Sequence, residues 1–138
     1  MSISNIKGLA HVGVYVKDIE VSKKFYCDIL GFESIFERSE PFQNGQEVKI
    51  SFLKLEDLLL EMICVPGINY PPDGYFQHLA LRVVDIEQTK KKLEEMGLQM
   101  DELVYSPETF PHGSKWVTFL GPDGEHLEIN EILYCYIR

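Results

Sequence analysis

The sequence predicts an α+β protein made of two βαβββ repeats, related by an internal pseudo-twofold and forming curved mixed sheets around a cavity. Three observations predict it. First, the chain contains itself: setting residue n against n + 67 pairs His11 with His78, Asp18 with Asp85, Ile19-Glu20 with Ile86-Glu87, Lys23-Lys24 with Lys90-Lys91, Phe52-Leu53 with Phe119-Leu120, and Leu60-Glu61 with Leu127-Glu128. Such a repeat fixes the architecture before any local assignment is made. Second, each copy opens on a period-two alternation and passes into a helical period. Third, a Pro- and Gly-rich connector, VPGINYPPDGY at 65–75, separates the copies. The expected unit is a single domain, residues 1–138, with repeats at about 6–66 and 75–133.

The elements follow in order. AHVGVYV puts Val12, Val14 and Val16 on one face of a strand and His11, Gly13 and Tyr15 on the other; QHLALRV does the same with Leu79, Leu81 and Val83 against His78, Ala80 and Arg82. Asp18 and Asp85 stand where helix N-caps belong. The first helix is expected to bury Val21, Phe25 and Ile29, and the second Ile86, Thr89, Leu93 and Met96. Gly31 and Gly97 stop the two helices. Three strands follow in each repeat, at about 32–38, 47–55 and 57–64, then at about 98–105, 115–121 and 125–133, with GPDGE as the turn between the last two.

Composition bounds the function. The 138 residues are 45% hydrophobic and 25% charged, an ordinary globular balance. The net charge of −9 argues against nucleic acid, whose phosphates are held by clustered Lys and Arg. No apolar run reaches the roughly 20 residues a membrane helix needs, and MSISNIKGLA has no secretion signature. The three cysteines, Cys27, Cys64 and Cys135, form no C-x-x-C pair and suit a reducing compartment. The expected location is the cytoplasm.

Two positions in each repeat are polar among apolar neighbours. His11 and His78 lie on the first strand, Glu61 and Glu128 on the last. If those strands are neighbours in each sheet, two imidazoles and two carboxylates converge near the pseudo-twofold axis. Two carboxylates in an apolar cavity repel each other and lose hydration. A divalent cation offsets both costs, and a His₂Glu₂ shell leaves positions open for water or substrate. His112 and His126 read as loop or surface residues. Tyr70 and Phe110 are placed to act as lids, and Trp116 reads as a packing residue.

These residues resemble the vicinal oxygen chelate superfamily, which includes glyoxalase I, methylmalonyl-CoA epimerase, extradiol dioxygenases, and fosfomycin- and bleomycin-resistance proteins. The resemblance is carried by HVGVYVKDIEVSKKFYCDILGF, FQHLALRVVDIE and FLGPDGEHLEINE, and covers about residues 6–133. It implies the glyoxalase/bleomycin-resistance/dioxygenase fold, with one divalent metal (nickel or zinc, alternatively cobalt or manganese) on His11, Glu61, His78 and Glu128. It also implies a lactoylglutathione lyase-like activity in which the metal stabilises an enediolate and a glutamate, Glu128 with Glu61 as its counterpart, moves the proton. A small-molecule substrate and a homodimer follow from the same resemblance.

The chain departs from glutathione-using members where they carry Arg four residues after the first His and Asn four after the first Glu: here stand Tyr15 and Val65. Arg82 occupies the position of Tyr15 in the other repeat, so Arg82 and Tyr15 are the candidate substrate-binding residues, with Arg82 an anchor for an anionic substrate or one member of a surface salt bridge. The alternatives are a methylmalonyl-CoA epimerase-like isomerase, an extradiol-type iron dioxygenase, and a metal-free drug-binding resistance protein. Gln77 in place of a second His counts against the first, the extra carboxylate at Glu61 against the second, and the complete ligand set against the third.

Overall fold

The computed structural model describes residues 7, 9–69, 74 and 77–134. The chain divides into two compact units, Met1–Tyr70 and Pro71–Arg138. The first unit runs β1 (Val12–Tyr15), α1 (Ile19–Lys24), a π turn (Phe25–Ile29), β2 (Glu33–Pro41), β3 (Glu47–Leu55) and β4 (Leu58–Cys64). The second runs β5 (Leu79–Arg82), α2 (Ile86–Glu95), β6 (Val104–Ser106), β7 (Ser114–Leu120) and β8 (His126–Ile132). Each is the expected βαβββ.

The sheets have matching topology, β1-β4-β3-β2 and β5-β8-β7-β6. β1 joins β4, and β5 joins β8, in parallel; the other pairs are antiparallel. A parallel neighbour needs a crossover rather than a tight turn, and the helix between β1 and the meander provides it. First and last strands are therefore neighbours in each unit, as the placement of the histidines and glutamates requires.

One face of each sheet packs on its helix. In the first unit Leu53, Leu60, Met62 and Ser51 are fully or almost fully buried, together with Ile19, Ser22, Phe25 and Tyr26 of the helical segment. Tyr26 meets Phe25 and Phe32 edge to face at 5.2 and 5.5 Å. In the second unit Val117, Phe119, Leu127 and Ile129 pack with Ile86 and Leu93. Each fully buried aliphatic or phenylalanine side chain among these contributes about 1.5–3 kcal/mol by leaving water. Asp18 caps α1, accepting from the amides of Glu20 and Val21, and Asp85 caps α2, accepting from Gln88. Gly31 and Gly97 follow the helices at φ +85° and +94°, a region open to glycine without strain.

Four expectations need correction. Val21 is 54% exposed: the buried stripe runs through Ile19, Ser22 and Tyr26, with Phe25 beside it, and Val21 lies off that stripe. Met96 lies just past the helix end and is exposed. The strand expected at about 98–105 is only Val104–Ser106. Leu53 is fully buried while Leu120 is exposed, so the sequence match between them crosses from one face to the other.

That last correction has a local cause. The capping aspartates are 67 positions apart, but the stopping glycines are 66 apart, because the π turn takes in one extra residue. The offset returns to 67 at the final hairpin. Leu55 and Leu58 pair around Glu56-Asp57, whereas the Gly121 amide reaches the Glu125 carbonyl around three residues, Pro122–Gly124. Between these two insertions every counterpart is shifted by one, and a one-residue shift in a strand reverses the face.

Tyr70, expected as a lid, and Cys135 lie outside the described residues. His126 is the first residue of β8 and half-buried rather than a loop residue.

Candidate metal centre

The sheet face opposite the helix carries the polar residues. In the first unit Gly13 stands across from Glu61, and residues two apart on a strand share a face, so His11 joins Glu61 there. His11 Nε2 lies 3.6 Å from Glu61 Oε1. Phe52 stands across from Glu61 on β3; its ring meets His11 edge to face at 5.9 Å and lies 6.2 Å from Phe36. Ile63 is two residues beyond Glu61 on the same face. This pair sits among aromatic and aliphatic side chains.

The second unit builds the same pair with different neighbours. Ala80 stands across from Glu128, and His78 Nε2 lies 3.8 Å from Glu128 Oε1. Glu128 is one of few buried charged residues, 9% exposed. Thr118 stands across from it on β7, and Asn130 follows it on the same face. Asn130 Nδ2 donates to Glu128 Oε2 at 2.9 Å. His78 Nδ1 lies 2.6 Å from Gln77 Oε1. Gln77 is thus an outer hydrogen-bond partner of the His78 ring, of the kind that orients a ligating histidine.

Neither His–Glu contact is a hydrogen bond, since 3.6 and 3.8 Å exceed that range. Two ligands each about 2.0–2.2 Å from one ion cannot be more than roughly 4.2 Å apart. Both pairs fall within that span, so nitrogen and oxygen stand as two ligands of a shared cation would. Among the described residues no group of three or more His, Cys, Asp and Glu side chains is placed to hold a metal. Each unit thus presents one His–Glu pair.

The two substrate candidates flank the pairs. Tyr15 on β1 and Arg82 on β5 are exposed and stand across from Ile63 and Asn130. Arg82 has no ion-pair partner among the described residues. Phe110 is exposed, and Trp116 Nε1 donates to Ser106 Oγ at 3.1 Å, holding β7 to β6. Burial pushes the Cys27 thiol up from its ordinary value, and Cys64 Sγ donates to the Lys17 carbonyl; neither is poised as a nucleophile.

Asn130 and Gln77 were not singled out by sequence as partners of the ligands. Spacing held the signal: Asn130 is two residues after Glu128 in a strand, and Gln77 adjoins His78.

Two βαβββ units with a His–Glu pair on matching parallel strands define the class of protein. The chain belongs to the Glyoxalase/Bleomycin resistance protein/Dioxygenase superfamily, which it matches over residues 8–129. It is 32% identical over 126 residues to the uncharacterized protein YwbC of Bacillus subtilis, covering 88% of this chain and 95% of that one. It is 31% identical over 127 residues to a probable lactoylglutathione lyase of Synechocystis sp., covering 88% and 92%. The crystal structure of SMU.1112c has a TM-score of 0.74 at 31% identity, covering 92% and 100%. The fold is also that of the fosfomycin resistance protein FosX of Listeria monocytogenes, crystallised with Mn(II) and sulfate, at a TM-score of 0.68 and 17% identity, covering 93% and 94%. No helix among the described residues is long and apolar enough to cross a membrane.

Proposed function

We propose that the protein is a metal-dependent lyase/isomerase of the glyoxalase I type, acting on the adduct of a 2-oxoaldehyde with a thiol. His11, Glu61, His78 and Glu128 hold one divalent ion, nickel or zinc, with cobalt or manganese able to substitute. The observation that carries the reading is the pair of His–Glu spacings, 3.6 and 3.8 Å, each longer than a hydrogen bond and within the span of one ion's ligands. The four ligands meet within one chain or across a homodimer.

A bound ion supplies Lewis-acid stabilisation for negative charge that develops on two neighbouring substrate oxygens. The chain's own residues do the rest. A glutamate of the set, Glu128 by resemblance with Glu61 as its counterpart, carries a proton between adjacent carbons. Gln77, 2.6 Å from His78 Nδ1, orients the His78 ring. Arg82, exposed and without an ion-pair partner among the described residues, anchors an anionic part of the substrate. Phe52, Phe36 and Tyr15 offer an apolar wall that keeps water from the reacting carbons. The enzyme is cytoplasmic in this reading.

The test is reconstitution of the purified chain with each metal, followed by methylglyoxal and a panel of cellular thiols. Thioester formation that requires both metal and a thiol is the expected result. Turnover with none of the thiols, from a chain that does bind metal, contradicts the glyoxalase reading and favours the epimerase-like one.

A further inference from the structure

We propose that Asn130 makes the two carboxylates unequal: it fixes Glu128 as the permanent metal ligand and leaves Glu61 as the labile one. The proposal rests on the metal reading above and adds to it.

The repeat makes the two glutamates counterparts, yet their surroundings differ at several matched positions. Glu128 Oε2 accepts from Asn130 Nδ2 at 2.9 Å. The counterpart of Asn130 is Ile63, across from Tyr15 as Asn130 is across from Arg82, and an isoleucine has nothing to donate. Ala80 stands beside Glu128, whereas Gly13 stands beside Glu61 and leaves that space open; a Cβ there would still lie 3.8 Å from Glu61 Oε1. The Glu61 side chain is 20% exposed, that of Glu128 12%.

Asn130 is itself held by this bond. Its Oδ1 is buried and has no partner among the described residues. Turning the amide over would set that oxygen against the carboxylate, so Glu128 determines which way the carboxamide points. With Oε2 tied to the amide, Oε1 is the oxygen left facing His78 Nε2. Glu128 is thereby a one-oxygen ligand in a fixed orientation. Among the described residues Glu61 has no comparable tether, so it is the carboxylate able to leave the ion and return, the part that the family resemblance gives to Glu128. Asn130 acts through Glu128 and is a positioning residue.

The test uses the full-length protein and the metal alone. Zinc affinity is measured by competition with a chromophoric chelator for the wild type, Asn130→Ile, Glu61→Gln and Glu128→Gln, and the visible spectrum of the Co(II)-loaded proteins is recorded. Asn130→Ile is expected to weaken zinc about 10–100-fold, as loss of an outer-shell partner does, and to change the Co(II) bands. Glu128→Gln is expected to weaken zinc more than Glu61→Gln. If Asn130→Ile does not fold, the two Gln variants decide the matter. Equal losses in those two, or unchanged affinity and spectrum in a folded Asn130→Ile, overturn the proposal while leaving the metal site standing. A wild type that takes up no ion overturns the metal reading and this proposal with it.

Discussion

Thr118 of β7, not Phe119, is the counterpart of Phe52 of β3. Each stands across from the glutamate of its unit, Phe52 from Glu61 and Thr118 from Glu128. The His–Glu pair therefore has an aromatic flank in one unit and a hydroxyl flank in the other, although the sequence match pairs two phenylalanines.

This register predicts a stability difference. Leu53 and Phe119 are both buried against a helix, while Leu120, the sequence match of Leu53, is 56% exposed. Leu53→Ala and Phe119→Ala should each cost about 2–5 kcal/mol. Leu120→Ala should stay within about 0.5 kcal/mol. Urea unfolding followed by circular dichroism measures all three, and a large loss for Leu120→Ala would count against the register.

The two caps predict unequal tolerance. Asp18 has extended geometry and accepts two amides, so Asp18→Ala should cost about 1 kcal/mol. Asp85 sits at φ +54°, where Asn is tolerated and also caps. Asp85→Asn should be neutral within about 0.5 kcal/mol, while Asp85→Val, β-branched and unable to cap, should cost more than Asp18→Ala. Thermal melts give the order.

The Lys23–Glu37 pair, 2.5 Å apart, ties α1 to β2. The Glu37 carboxyl is held below its ordinary 4.5 by the hydrogen bond from Lys23, and the Lys23 ammonium is held above its ordinary 10.5 by the same bond. A lowered acid stabilises the fold above its unfolded pKa and loses that contribution as pH falls through the folded value; a raised base stabilises below its unfolded pKa and loses that as pH rises through the folded value. The stability gap between wild type and Lys23→Met should thus be level from about pH 5 to 10 and shrink on both sides. Solvent screening keeps the gap below about 1 kcal/mol. A gap that peaks sharply within the neutral range would contradict the pairing. In the second unit the charges change places, Lys115 on β7 reaching Glu87 on α2 at 2.6 Å.

Arg82→Ala should raise KM for an anionic substrate with little change in kcat, because an anchor that does not touch the reacting atoms gives uniform binding. Unchanged KM in steady-state kinetics would remove Arg82 from the site.

Much of this was legible in the sequence. Period-two alternation placed His11 and His78 opposite the valine and leucine faces, and Asp18, Asp85, Gly31 and Gly97 marked the helix ends. Insertions were harder to see. Val21 keeps helical spacing with Phe25, and only the buried stripe through Ile19, Ser22 and Tyr26 shows that it faces out. Phe52 and Phe119 are a true identity in the alignment and a false equivalence in space, because the extra residue in the π turn and the longer turn at Pro122–Gly124 offset one another. Asn130 was hidden for a different reason: its partner is a side chain, and no periodicity reports which of two carboxylate oxygens is held.

The central claim is that His11, Glu61, His78 and Glu128 hold one divalent ion, and metal content tests it most directly. The chain should be purified, supplied with nickel or zinc, freed of loose metal and analysed by mass spectrometry of the element, beside variants with each ligand replaced by Ala. About one equivalent per chain in the wild type, and a marked fall in each of the four variants, is the result the four-ligand shell predicts. Less than about a tenth of an equivalent in the supplemented wild type would contradict it, because a complete donor set of this kind holds its ion through purification.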